Sequence, residues 1–366
     1  MPGTPDLTPT QAPAAWRGPD VDWVRECLVQ LDADDLLEIR QALDALGAQR
    51  PPGTLPLARD DFPLVRVADK LRVVARQLHA GKGFAMLRGL PREQYDADQM
   101  AQIYFGLSIY LGVPMSQSHR GELLGHVLNL TGYGDVARAY QNGGEMSMHT
   151  DSCDIIGLMC LRTARSGGAS RISSALAIHD ALARCRPDML ARLYAGYRFM
   201  RGEKDAQLGD GRRVSLSPIP VFARLDGWPQ QVACYFLGSY IRNAAAAGHS
   251  RLGDADLDAI KAVEIMAESP EYYLDMQFQD GDIQFLNNRV ILHGRTHYED
   301  SPEIGQRRHL LRMWLRAPDW PGLPPEQIMH TGKDHALWLR HRNAGLELPN
   351  AYVTSLRAGA RAVARA

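Results

Sequence analysis

Residues 273–295 read YLDMQFQDGDIQFLNNRVILHGR, and the way this stretch divides decides the fold. Two apolar runs of strand length meet at Asp280-Gly281, a dipeptide that favours a turn, so the segment reads as two strands joined there. Working outward, IIGLMCLR (155–162) and QVACYFLG (231–238) are further runs of strand length, and RHLLRMWLR (308–316) alternates along a last strand. A helix pair interrupts them between Ser174 and Gly196, with Pro187 opening its second member. The strands are spread over half the chain and show no regular βα alternation. They predict an α+β protein with a mainly β core, a barrel or double-sheet sandwich decorated with helices.

The first third reads differently. Leu36, Ile39, Leu43 and Leu46 are spaced for a helix stopped by Gly47, and Val67, Leu71, Val74 and Leu78 for a second ended by Gly81. A short strand in GKGFAMLRGLP follows, and then a third helix with Met100, Ile103, Tyr104, Leu107 and Leu111 on one face. Residues 1–17, rich in Pro, Thr and Ala, are expected to form a flexible arm or a strap laid on the surface. The rest, 18–366, reads as a single catalytic domain: a helical part (18–80), a core with insertions (81–318) and a C-terminal extension (319–366).

Composition excludes several classes of partner. With 41 basic and 42 acidic residues the net charge is −1, and no basic block suggests nucleic acid or an anionic membrane. No apolar run approaches the roughly 18 residues a membrane helix needs. Five cysteines form no CxxC pair and the N-terminus shows no signal pattern, so the expected setting is a reducing cytoplasm and the expected partner a small molecule. Oligomeric state is left open.

The chemistry is concentrated in MSMHTDSCD (146–154). On an extended chain His149 and Asp151, two residues apart, point to the same side, so imidazole and carboxylate converge as metal ligands do. A third ligand is expected from His293, on the last strand of the opening stretch. Two histidines and a carboxylate form the facial triad that leaves three positions of an octahedral iron open. Arg308 shares a strand face with Leu310, Arg312 and Trp314, and a buried guanidinium there suits a carboxylate, which it binds through two parallel hydrogen bonds. The same three ligands also suit zinc with a bound water, hence a hydrolase, or a non-enzymatic barrel that stores or senses a ligand. A hydrolase lacks an evident general base and leaves Arg308 without a task.

MHTD, SGGAS (166–170), NNRVILHGR and RRHLLRMWL occur in an order that resembles the 2-oxoglutarate-dependent taurine catabolism dioxygenase (TauD/TfdA) family, in the clan of clavaminate synthase. The likeness spans roughly residues 80–318. It implies a double-stranded β-helix, a jelly-roll barrel flanked by helices, using Fe(II), 2-oxoglutarate and O₂. It further implies oxidative decarboxylation to succinate and CO₂ coupled to C–H oxidation of a small amino-acid-like or carboxylate-bearing metabolite. Hydroxylation is the expected outcome, because Asp151 keeps the ligand position that related halogenases give to a small residue; desaturation or oxidative cyclisation by the same iron site stays open. By the same likeness His149, Asp151 and His293 match the iron ligands, Arg308 and Ser170 the co-substrate site, and Arg312 an arginine that meets the substrate's anionic group. Glu145 falls where the taurine enzyme places a neutral amide on its substrate, and a carboxylate there suits a cation. Ser116, Gln117 and Arg120 lie in a polar loop that approaches the substrate in the family.

Other residues have plainer readings. His126 reads as a core or rim histidine, and His309, by period 2, as lying outside the barrel. His297 follows His293 by four, a ligand spacing only on a helix, which Gly294 opposes. Asp254, Asp256 and Asp258 read as a solvated helix start, and the cysteines as core filler, Cys153 being the one near the iron.

Overall fold

A computed structural model describes residues 5–50, 55, 58–131 and 144–340. Its helices are α1 (Trp23–Glu26), α2 (Ala33–Gln49), α3 (Arg66–Ala80), α4 (Ala97–Ser108), α5 (Ala175–Cys185), α6 (Pro187–Ala195), α7 (Glu203–Gln207), α8 (Gly238–Ala246), α9 (Asp254–Ala267) and α10 (Gly332–Arg340). Its strands are β1 (Leu28–Gln30), β2 (Phe84–Arg88), β3 (Val113–Met115), β4 (Gly125–Leu128), β5 (Met146–His149), β6 (Ile155–Arg162), β7 (Ser166–Gly167), β8 (Ser170–Ser174), β9 (Phe222–Arg224), β10 (Val232–Cys234), β11 (Tyr273–Met276), β12 (Ile283–Asn287), β13 (Ile291–Arg295), β14 (Tyr298–Glu299) and β15 (His309–Arg316).

The opening stretch forms three strands rather than two. β11 and β13 belong to a four-stranded sheet in the order β11-β8-β13-β5, whereas β12 between them belongs to a seven-stranded sheet in the order β1-β2-β12-β6-β15-β3, with β4 also on β15. Asp280-Gly281 is therefore a crossing from one sheet to the other. Gly281, at φ 93°, approaches Leu90 so closely that a Cβ would lie 2.2 Å from its carbonyl oxygen. The way back is the turn Asn287–Val290: Arg289 N donates to Asn287 Oδ1 (3.0 Å) and Val290 N to Asn287 O (3.1 Å). That side-chain turn lets Asn-Asn-Arg break an apolar run without glycine or proline.

The large sheet is buried on both faces. Ala85, Leu87, Met159, Phe285, Leu311 and Met313 pack with apolar residues of α2, α3 and α4, while Phe84, Met86, Cys160, Leu310 and Trp314 pack with Ile172, Leu292 and Met148 of the small sheet. Burying each large apolar side chain is worth roughly 2–3 kcal/mol, so β15, apolar on both sides, is anchored in both directions. Arg308 and Arg312 lie with Leu310 and Trp314, toward the small sheet. His309, expected outside the barrel, is buried, with Nε2 2.7 Å from Nδ1 of His126.

Other expectations shift at element ends. α2 runs through Gly47 to Gln49, a tolerated cost of about 1 kcal/mol against alanine, and α4 stops before Leu111. Only Val232–Cys234 of the run 231–238 is strand, and Gly238 starts α8. In the N-terminal segment, Ala12, Ala14 and Trp16 are buried with the core. Trp16 is buried edge-on to Phe84 and donates to Lys82 O, and Thr10 bonds Asp180 twice. Residues 1–4 and 341–366, the latter including the end of ALWLRHRNAGLELPN, lie outside the described residues.

Candidate metal centre

β5 and β13 pair antiparallel with His149 directly opposite His293, and their ring centroids are 4.4 Å apart. The chain leaves β5 through Thr150 and Asp151, and two neighbours fix that turn. Thr150 N donates to Phe236 O and Thr150 Oγ1 accepts from Phe236 N (2.9 and 2.8 Å). Asn288 accepts from Asp151 N at 2.8 Å and donates to the carbonyls of Asp151 and Cys153 at 2.6 and 2.7 Å. Asn288, in the turn before β13, thus locks one ligand-bearing strand to the other.

The donor atoms of His149, Asp151 and His293 lie within 4.8 Å of one another, the single such His/Cys/Asp/Glu cluster among the described residues. Asp151 Oδ1 stands 3.8 Å from His149 Nε2 and Oδ2 stands 3.7 Å from His293 Nε2. Both separations are shorter than the ~4.2 Å that two bonds of about 2.1 Å to one ion can span. His149 Nδ1 lies 2.8 Å from Ser147 O. Donation there leaves Nε2 unprotonated toward Asp151, the tautomer a metal requires. Burial, then the neighbouring His293, pushes His149 down to about 4, so it is neutral near pH 7. Burial alone would raise the Asp151 carboxyl, but Arg312 and the two imidazoles outweigh it and hold the group well below the usual carboxylate range. Trp314 Nε1 donates to Asp151 Oδ2 at 3.0 Å, and His293 Nδ1 is buried without a hydrogen-bond partner. Two imidazoles, that of His149 neutral, and an ionised carboxylate converging on one point fit a divalent cation.

Two buried arginines lie beyond the triad. Arg308 donates through Nη2 to Gly168 O (3.2 Å), and its guanidinium carbon is 5.4 Å from the centre of the Tyr298 ring. Arg295, two residues after His293, stands 4.7 Å from the same ring. Burial, then repulsion from Arg295, pushes Arg308 down to about 10. The SGGAS glycines make room for it: Gly168 sits at φ 73°, and a Cβ there would lie 3.0 Å from Arg308 Nε. Ser170, opposite Arg295 across β8 and β13, is buried and donates to Gln284 Oε1 at 2.7 Å.

Arg312 is held by Gln117. Its Nε donates to Gln117 Oε1 at 2.7 Å, the Gln117 amide donates back to Arg312 O (2.8 Å) and to Leu123 O (3.1 Å), and Arg312 Nη1 lies 3.6 Å from Asp151 Oδ2. Expected as a substrate contact, Gln117 spends its amide on the protein. Replacing it by leucine should leave a buried acceptor and the arginine unmatched, at about 1–3 kcal/mol. The expected result is a lower Tm, and an unchanged Tm would show that the clamp does not matter. Glu145, one residue before β5, is exposed. Ser116 donates to His335 O, and Arg120 N lies on Ser118 Oγ.

Sequence reasoning missed Asn288, Arg295 and Trp314. Each had a signal: Asn288 and Arg295 stand in NNRVILHGR itself, and Trp314 follows Arg312 at period 2.

Residues 42–314 match the family described as taurine catabolism dioxygenase TauD, TfdA family. The chain belongs to that family. It is an oxidoreductase of the iron- and 2-oxoglutarate-dependent TauD/TfdA class. Among curated relatives, FR-33289 synthase of Streptomyces rubellomurinus is 27% identical over 335 residues, covering 88% of this chain and 94% of the relative. The taurine hydroxylase-like protein SAT17 of Stachybotrys chartarum is 29% identical over 319 residues, covering 82% and 77%. Among solved structures, an asparagine oxygenase in complex with Fe(II), 3-hydroxyasparagine and succinate superposes with a TM-score of 0.61 at 16% identity, covering 79% of this chain and 93% of that one. The non-heme iron oxygenase OrfP, with Fe and alpha-ketoglutaric acid, gives 0.59 at 14% identity, covering 79% and 94%. These two structures share the fold of this TauD/TfdA member.

Proposed function

We propose that the protein hydroxylates a small zwitterionic, amino-acid-like metabolite at an iron held by His149, Asp151 and His293. The observation that carries the reading is the convergence of that triad, on the small sheet, together with a buried, glycine-seated arginine, Arg308, at the start of β15 in the facing sheet. When bound, iron and 2-oxoglutarate supply the oxidising power for a C–H bond, and the chain supplies position. Asp151, ionised and steadied by Trp314, and the imidazoles of His149 and His293 would hold the metal. Arg308 receives the distal carboxylate of 2-oxoglutarate, with Ser170 beside it and Arg295 adding positive charge. Arg312, oriented by Gln117, takes the substrate's carboxylate, and Glu145 its ammonium group.

The two facing sheets support a double-stranded β-helix flanked by helices, with its catalytic unit formed by residues 18–366 and the strap outside it. The five cysteines are all free, which supports a reducing compartment such as the cytoplasm. Among the described residues no helix is long and apolar enough to cross a membrane.

The test is anaerobic. Adding Fe(II) and then 2-oxoglutarate to metal-free protein should produce the visible charge-transfer band of a chelated 2-oxoacid, and admitting air with an amino-acid panel should yield succinate. Iron binding without a band would remove 2-oxoglutarate from the reading.

A further inference from the structure

Asp151 offers a metal two oxygens, and the triad by itself does not choose between them. Oδ1 stands 3.8 Å from His149 Nε2 and Oδ2 stands 3.7 Å from His293 Nε2, so each lies within the ~4.2 Å that two bonds to one ion can span. The choice matters to a chelating co-substrate. Two imidazoles and one carboxylate oxygen leave three positions of an octahedral iron open, two for a 2-oxoacid and one for O₂. A carboxylate that binds through both oxygens closes the third.

The protein's own donors break the symmetry, because they fall on Oδ2. Trp314 Nε1 donates to it at 3.0 Å, and Arg312 Nη1 lies 3.6 Å from it. The indole is the more firmly placed of the two. Trp314 stands opposite Ile156 of β6 and Met115 of β3, so strands on both sides of β15 set its position. It is 4% exposed and packs into the core between the sheets. An indole has one polar atom, a donor, which needs an acceptor when the ring is buried. Asp151 cannot leave by moving its main chain, since Asn288 accepts from its N at 2.8 Å and donates to its O at 2.6 Å. Turning the carboxylate would break the indole hydrogen bond. Arg312 is a less constant partner, because in the reading above it also receives the substrate's carboxylate. The Trp314 ring lies beside it, 5.3 Å from its guanidinium carbon, and keeps its own hydrogen bond to Oδ2 whichever anion the arginine meets.

We infer that Trp314 is a positioning residue of the metal centre: it reserves Oδ2 of Asp151 for the protein, so that Oδ1 alone is presented to iron and one coordination position stays free. The inference rests on the three-residue metal site and on the 2-oxoglutarate dependence of the family, and is independent of the substrate's identity.

The first test needs no variant. A crystal structure of the full chain loaded with Mn(II) should show Asp151 bound through Oδ1, with Oδ2 on Trp314 Nε1. A metal on Oδ2, or on both oxygens, would overturn the inference. Trp314→Phe removes the N–H and keeps a ring, and its Mn(II) structure should show both oxygens on the metal. In solution the probe of the free position is nitric oxide, added anaerobically to protein loaded with Fe(II) and 2-oxoglutarate and followed by electron paramagnetic resonance. Trp314→Phe should bind it at least about tenfold more weakly than wild type, the lower end of what loss of a group supporting a metal ligand costs, while its Fe(II) affinity does not fall. A merely structural tryptophan would give the opposite split, with Fe(II) affinity and Tm falling together and nitric oxide binding unchanged, and that result overturns the inference. If Trp314→Phe does not fold, the wild-type Mn(II) structure still decides. The charge-transfer band of the wild type reports 2-oxoglutarate separately: a missing band discards the co-substrate, while the Mn(II) structure still shows which oxygen Asp151 gives to the metal.

Discussion

His149→Ala, Asp151→Ala and His293→Ala should each reduce succinate formation below detection, and the three should differ in how they affect the protein without metal. Alanine at His149 removes one hydrogen bond to Ser147 O and a partly exposed ring, so it should cost less than alanine at the buried His293. Asp151 is the ionised partner of Arg312 and the acceptor of Trp314 Nε1. Its loss leaves a buried guanidinium without its carboxylate and should lower stability by about 3–5 kcal/mol. Iron content after gel filtration, the charge-transfer band and the Tm of the apoprotein check this together. Retention of stoichiometric iron and an undiminished band in His149→Ala would dismiss the triad.

The metal ligands were legible because ligand chemistry restricts residue type and the strand restricts direction. A histidine and an aspartate two apart, and a histidine inside a second apolar run, have few other reasons to appear in that order. Arg308 and Arg312 were legible as a pair but their face was not, since β15 is apolar on both sides and period 2 cannot say which side holds the site. The structure supplies what the pattern lacks: helices cover one face and the small sheet the other.

What escaped the sequence escaped for definite reasons. The turn after β12 has no glycine or proline, because Asn287 closes it with its own side chain, and a run of apolar residues on either side hides the boundary. Gln117 looked like a substrate contact because it is polar and near the site, yet its three hydrogen bonds go to Arg312 and Leu123. His330 and His335 lie some forty residues after the last ligand, in a stretch with no strand pattern, and only the packing of α10 against Asp205 and Arg201 brings them into the lining of a cavity that Asp151 also borders. Long-range pairing of this kind leaves no local periodicity to read.

Arg308→Ala should weaken 2-oxoglutarate binding by about 100-fold or more while leaving iron binding intact. Deleting one partner of a buried, hydrogen-bonded charge pair costs about 2–5 kcal/mol, and about 2.8 kcal/mol already corresponds to that factor. The surroundings argue for the upper part of the range. Arg308 is buried, its backbone N–H is fixed by Asp300 at 2.6 Å, and its side chain is seated over Gly168 and Tyr298, so little is left to order when the carboxylate arrives. Arg295 beside it pushes the guanidinium toward deprotonation, and an arriving carboxylate relieves that repulsion as well as forming the pair. Arg308→Lys should fall between the two, since an ammonium lacks the planar fork that binds both oxygens. Titration of the charge-transfer band with 2-oxoglutarate in the three proteins gives the numbers directly. Equal affinities would move the carboxylate to Arg295, whose own alanine variant would then show the loss.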